Sequence, residues 1–192
     1  RVGAVSVLRI DRPEARNALD SAVITGLAEG VVAAESSPDI RAIVLTGTGR
    51  SSDRYPPDEQ GAGWRDIESV AEEVRALRRR ALPVVSNVAD LASVQALAAT
   101  VLEQFGRVDI LVNNVYKIPD PPAWGGGFWD HPISIWDDQV GIGLRAHYVA
   151  SWYAAPLLFA AGPGGFICNV SSPGGQSYHF SSSYGAGKAG LD

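Results

Sequence analysis

The sequence predicts an α/β domain built on a mainly parallel sheet. Short apolar runs, each closed by glycine or polar residues, alternate along the chain with stretches whose apolar residues recur at helical spacing. Polar residues also gather just where the apolar runs end. With 46% of its 192 residues hydrophobic, the chain has material for a core and too much of it for a disordered segment.

Taken in order, apolar residues at 5, 8 and 10 predict a first strand over residues 4–10, which Asp11-Arg12-Pro13 stops. From Asp20 the pattern turns helical, with Leu19, Val23, Leu27 and Val31 on one face. After the turn Ser36–Asp39, Ile40–Thr46 reads as a buried strand bounded by Gly47 and Gly49. Residues 50–65, with Pro56, Pro57, Gly61 and Gly63, predict a long loop. A helix follows over Asp66–Arg80, with Ile67, Val70, Val74 and Leu77 in register. Arg78, Arg79 and Arg80 fall in its last turn, where positive charge suits the helix dipole, and read as helix-end charges rather than a nucleic-acid patch.

Leu82–Ser86 predicts another short strand. Asp90 is placed to cap the next helix, whose core face is Val94, Leu97, Val101 and Phe105 and which Gly106 ends. Val108–Val112 predicts a strand leading into Asn113-Asn114. A loop with Pro119, Pro121, Pro122 and Gly125–Gly127 has Trp124, Trp129 and Trp136 about it, able either to line an apolar pocket or to pack over the sheet. A long helix is expected over Ile135–Ala160, strained at Pro156. Gly162–Gly165 makes a turn, Phe166–Val170 a strand, and a last helix runs toward Asp192.

Several function classes are excluded on composition. A net charge of -5 argues against a general nucleic-acid binder. One cysteine allows no internal disulfide, no apolar run approaches the ~18 residues of a membrane span, and no signal peptide opens the chain, so a cytoplasmic location is expected. His131, His147 and His179 lack metal-binding spacing, and Cys168 reads as core. An Arg1 start and the lack of methionine suggest a section of a longer reading frame.

In such sheets ligands bind beyond the carboxyl ends of the strands, where Arg50, Asn87, Asn113 and Ser172 stand. The sharpest signal is Tyr184-Gly185-Ala186-Gly187-Lys188. Four residues apart on a helix, Tyr184 and Lys188 share a face, and a nearby ammonium would lower the phenol's pKa from its usual ~10. Such a phenol exchanges protons near neutral pH, and a hydroxyl at the neighbouring strand end could hold a carbonyl.

Residues 50–192 resemble the short-chain dehydrogenase/reductase family. Arg50-Ser51-Ser52, the run Val108–Asn114, Val170-Ser171-Ser172-Pro173-Gly174, and the pair Tyr184 and Lys188 match its motifs in order. The tract from Phe128-Trp129 through Trp136-Asp137-Asp138 to His147-Tyr148 is similar to a less common branch. The resemblance implies a Rossmann-like three-layer fold, incomplete at the C-terminus. It implies hydride transfer between NADP(H) or NAD(H) and a small carbonyl or alcohol, in a homo-oligomer. Tyr184 would be the general acid/base, Lys188 would lower its pKa and bind the nicotinamide ribose, and Ser172 would orient the carbonyl, with Ser171 the alternative. Arg50, Ser51, Asn87, Val88, Asn113, Asn114, Tyr184 and Lys188 would contact the cofactor. Arg50 would favour NADPH by pairing with the 2′-phosphate, and Asn113 would sit by the adenosine ribose. The family's relay asparagine aligns with Gly143, its adenine-contacting aspartate with Asn87, and Val115-Tyr116 stands where Ala-Gly is usual.

Residues 3–49 instead resemble the opening of enoyl-CoA hydratases and isomerases, through Arg12–Asp20 and Ile40–Gly47. That resemblance implies help in binding coenzyme A, while the later oxyanion loop and catalytic acids have no counterpart. The expected division is therefore 1–49 and 50–192, or one continuous α/β domain. Coenzyme A thioester binding, or a catalytically inactive fragment, is the alternative function. If the hydratase-like strand–helix–strand replaces the dehydrogenase's first such unit, the pyrophosphate turn becomes Asp11-Arg12-Pro13-Glu14. That turn has no glycine and two carboxylates. Each charged hydrogen bond lost there costs roughly 1.5–3 kcal/mol, so dinucleotide binding would weaken on the order of a thousandfold.

Overall fold

A computed structural model of the chain describes residues 43–46, 67–76, 79–117, 119 and 126–192. The chain divides into two compact units, residues 1–47 with 87–192, and residues 48–86. The expected strand at 4–10, the helix from Asp20, the start of the strand at Ile40 and the loop 50–65 lie outside the described residues.

The larger unit is a parallel sheet with helices. Its described strands are β1 (Ile43–Thr46), β2 (Ile110–Asn113) and β3 (Phe166–Asn169), in the order β1-β2-β3. Both pairings are parallel, and the register aligns Thr46, Asn113 and Asn169 across the carboxyl end. All four residues of β2 are buried, as a strand covered on both faces requires of a continuous apolar run. β3 alternates between half-buried and exposed residues.

Beside β2 stands β1, Ile43–Thr46, within the unbroken apolar run that the sequence predicts as a buried strand. The carboxyl end of the described sheet lies at Thr46, Asn113 and Asn169, the end at which such sheets bind their ligands.

Helix α2 (Leu91–Phe105) begins where the Asp90 carboxylate accepts the backbone N–H groups of Ala92 and Ser93. It ends at Gly106, whose φ of 77° a residue with a side chain rarely adopts. Val94 and Val101 are its buried residues. The next helical tract has three parts: α3 (Ser134–Trp136), a π-helical segment (Asp137–Arg145) and α4 (Ala146–Ala161), which contains Pro156. The wide turn shows in the Ala146 N–H, which bonds the Gly141 carbonyl five residues back. Val101, Val108, Leu111, Ala154 and Leu158 form the core where α2, β2 and α4 meet. Arg107 ties its start to the end of α4 by pairing with Asp109 and donating to the Ala161 carbonyl. The final helix is α5 (Ser182–Ala189).

In the smaller unit the described helix is α1 (Ile67–Ala76), shorter than expected, so Arg79 and Arg80 lie beyond it. The Arg75 guanidinium reaches forward to the Ala81 carbonyl at 3.1 Å. Leu82–Ser86 is not a strand, contrary to its apolar pattern: Val85 is 89% exposed and the segment joins none of the three described strands. Strand propensity is realised only where a neighbour completes the ladder. Among the described residues no helix is long and apolar enough to cross a membrane.

Candidate active site

The carboxyl end of β2 is organised by Asn113, which is 0% exposed. Its Nδ2 faces Asn169 Oδ1 at 2.9 Å, Ser151 Oγ at 3.0 Å and the His147 carbonyl at 3.4 Å. The side chain thus joins β2 to β3 and α4. Two residues on, the Val115 carbonyl accepts a hydrogen bond from His147 Nε2 at 2.8 Å. Burial pushes the His147 pKa down to about 4; the bond to Val115 opposes this and the Lys188 charge adds to it.

Beyond β3, Ser172 accepts the Gly174 N–H at 3.1 Å and starts a short 3-10 turn, Pro173–Gly175. A Cβ on Gly174 would collide with the Tyr184 ring, so glycine is required at this close approach. Ser181 caps α5 by accepting the Tyr184 N–H at 3.2 Å. That cap sets the helix phase, which turns Tyr184 and Lys188 to the buried side together. A Cβ on Gly187 would stand 3.1 Å from the Gln139 carbonyl, and its absence lets α5 settle close on the π-helical segment.

Three of the expected residues meet here. Ser172 Oγ and Tyr184 Oη are 2.7 Å apart, and the Lys188 ammonium donates to the Val170 carbonyl at 3.0 Å. Of the two serines, Ser172 faces the phenol, while Ser171 donates to the Lys188 carbonyl. The phenol's environment differs from the expectation. Burial raises the Tyr184 pKa, the bond with Ser172 opposing it. The Lys188 ammonium is turned to Val170 instead of the phenol oxygen, and burial brings its own pKa down to about 8, with Asp192 opposing.

The other expected residues are placed as follows. The Asn87 carboxamide oxygen accepts the Ala89 N–H at 3.1 Å, and its carbonyl accepts that of Asp90, so Asn87 and Val88 form the turn into α2. Asn114 is half-buried just past β2. Arg50 and Ser51 are outside the described residues. Phe128, Trp129 and Trp136 are exposed, and Trp124 is outside the described residues. Cys168 is half-buried, and burial pushes its thiol pKa up, the reverse of an activated nucleophile. Among the described residues no cluster of His, Cys, Asp or Glu could hold a metal.

The family model for short chain dehydrogenase matches residues 62–192. The chain belongs to the short-chain dehydrogenase family. The enoyl-CoA hydratase/isomerase model matches residues 1–52. Dehydrogenase/reductase SDR family member 1 of Mus musculus is 42% identical over 129 residues, covering 66% of this chain and 41% of that protein, so the chain spans about two fifths of the relative's length. A short-chain dehydrogenase/reductase structure from Burkholderia xenovorans superposes with a TM-score of 0.63 at 26% identity, covering 79% of this chain and 63% of the other. A metagenomic short-chain oxidoreductase in complex with NADP gives 0.60 at 26%, with 79% and 72% covered.

Within this member of the short-chain dehydrogenase family, four residues near the phenol went unassigned from sequence. Tyr116 and Phe180 set their rings edge-on to Tyr184, with centroids 5.6 and 5.3 Å away. Phe180 does so from a backbone φ of 63°, uncommon for a bulky residue. Gln139 and His147 are buried beside them. Only Tyr116 announced itself, as a departure from the usual Ala-Gly.

Proposed function

We propose that the chain forms the reaction centre of an oxidoreductase that moves a hydride between NADP(H) or NAD(H) and a small carbonyl or alcohol. The 2.7 Å approach of Ser172 Oγ to Tyr184 Oη, with Lys188 one helical turn further on, is the observation that best supports it. Two hydroxyls that meet at this distance can both turn toward one carbonyl oxygen. The donor set also fits a nicotinamide ribose, because an ammonium has three N–H donors and the hydrogen bond described for Lys188 goes to Val170. Tyr184 and Lys188 would hold that ribose.

A nicotinamide, when bound, supplies or accepts the hydride. Ser172 orients the carbonyl oxygen. Tyr184 gives that oxygen its phenolic proton in reduction and recovers it in oxidation. Because burial keeps the phenol protonated, the ligand-free chain is set for reduction at neutral pH. Alcohol oxidation needs the phenolate, so its rate should climb as the pH is raised into the alkaline range; a flat profile would contradict this role. Tyr184→Phe should reduce carbonyl turnover by on the order of a thousandfold or more while the melting temperature holds, and retained activity would sink the assignment.

The cofactor's pyrophosphate end is assigned to the chain leaving β1. Gly47→Val should weaken dinucleotide binding about tenfold or more in a calorimetric titration, and Glu14→Gln should leave it unchanged. The reverse result would select Asp11–Glu14 instead. We keep Arg50 and Ser51 for the adenosine ribose and its phosphate. β1 lies in residues 1–49 and pairs with β2 in 50–192, which supports one α/β sheet shared by the two segments. The exposed Tyr148, Trp152 and Phe159 of α4 support a homo-oligomer, measurable by analytical ultracentrifugation. A single cysteine supports work in the cytoplasm. The match of residues 1–52 favours a second reading, coenzyme A thioester binding, and tight binding of an acyl-CoA with none of NADPH would select it.

A further inference from the structure

We propose that Tyr116 is a positioning residue for Lys188: the face of its ring holds the ammonium, and Gln139 and His147 hold the ring. Lys188 is 7% exposed, and its hydrogen bond among the described residues is the one to the Val170 carbonyl. An ammonium with three donors and one such bond is costly to bury. The Tyr116 ring centroid lies 5.6 Å from Nζ, inside the ~6 Å over which an aromatic face attracts a cation, and the Tyr184 ring lies at 6.0 Å.

The ring is itself fixed. It stands edge-on to Tyr184 at 79°. Its hydroxyl accepts the Gln139 Nε2–H at 3.3 Å, and the preceding Val115 carbonyl is bonded by His147. Gln139 and His147 are both almost wholly buried, so neither can swing away cheaply. Tyr184 on its own helix and Asp192 past that helix's end also face the ammonium, Asp192 favouring its charge, while His147 on α4 is near enough for the Lys188 charge to lower the His147 pKa. Gly143, in the π-helical segment, offers no side chain where the family places its relay asparagine. The aromatic face takes up the task of keeping a buried Lys188 charged and in place. Its consequence for catalysis rests on the function proposed above; its electrostatic content does not.

The test uses the full chain without cofactor. Competitive acetylation of Lys188 with acetic anhydride across pH, read by mass spectrometry, gives the midpoint of its deprotonation. Tyr116→Phe keeps the ring face and should leave the midpoint in place. Tyr116→Leu keeps apolar bulk without the face and should lower it by about 0.5–1 pH unit. Phenylalanines bearing one, two and three ring fluorines at position 116 preserve size while draining the face of charge, and should lower it stepwise even if the leucine variant folds poorly. A midpoint unmoved across the fluorinated series, or raised by leucine, would overturn the proposal. A shifted midpoint in a chain that reduces no carbonyl would leave the positioning role intact and remove the oxidoreductase reading. Carbonyl reduction with an unmoved midpoint would do the opposite.

Discussion

Around the amino-terminal half of β2, side chains of Val101, Val108, Leu111, Ala154 and Leu158 close a core of carbon atoms. At its carboxyl end Asn113, Gln139, His147 and Lys188 are about as deeply buried, and all are polar. The apolar end stabilises in rough proportion to the area it hides and is indifferent to pH. The polar end depends on partners, and among the described residues three of its buried atoms have none: Asn113 Oδ1, Gln139 Oε1 and His147 Nδ1. Each such atom costs roughly 1–3 kcal/mol. The difference teaches that one half of the sheet is arranged for stability and the other tolerates unfavourable burial to hold its groups in place.

The comparison can be broken most directly in the carbon core. Leu111→Ala should destabilise the chain by about 2–5 kcal/mol in denaturant unfolding, equally at pH 5 and pH 8. A small loss would mean that the core carries less than its burial implies. The polar end should respond to acid instead. His147 titrates near 6.5 when unfolded and at about 4 when folded, so the unfolded chain binds the proton first. The His147 contribution to stability is then constant above pH 6.5 and falls by on the order of 3 kcal/mol as the pH drops to 4. His147→Gln should flatten that part of the profile, and an unchanged slope would assign the acid sensitivity to other groups. The smallest effect lies outside both ends. Asp90→Ala removes the α2 cap and should cost about 1 kcal/mol, with no change in pH profile or in Lys188 reactivity.

Much of the fold was legible because its signals are local. The Asp90 cap, the Gly106 stop, and the apolar runs of β2 and β3 are each written in fewer than twenty adjacent residues. Tyr184 and Lys188 were legible for the same reason, as helical spacing alone puts them on one face. Leu82–Ser86 misled because its apolar pattern finds no ladder partner among the described strands. The π-helical turn at Asp137–Arg145 was not readable, since two glycines permit it without demanding it. Tyr116, His147 and Gln139 were missed as a group because they come from different segments and meet only when β2, the π-helical segment and α4 are assembled.

By itself, then, the sequence determined the α/β class, the helix caps and the pairing of Tyr184 with Lys188, all of which follow from backbone periodicity and nearest-neighbour chemistry. The tertiary structure alone decided which strand stands beside β2, that Ser172 and not Ser171 meets the phenol, and that Lys188 turns to Val170. It also reversed the expected direction of the Tyr184 pKa. A pKa depends on how much water reaches the group and where neighbouring charges point, and both are properties of the packed chain rather than of residue order.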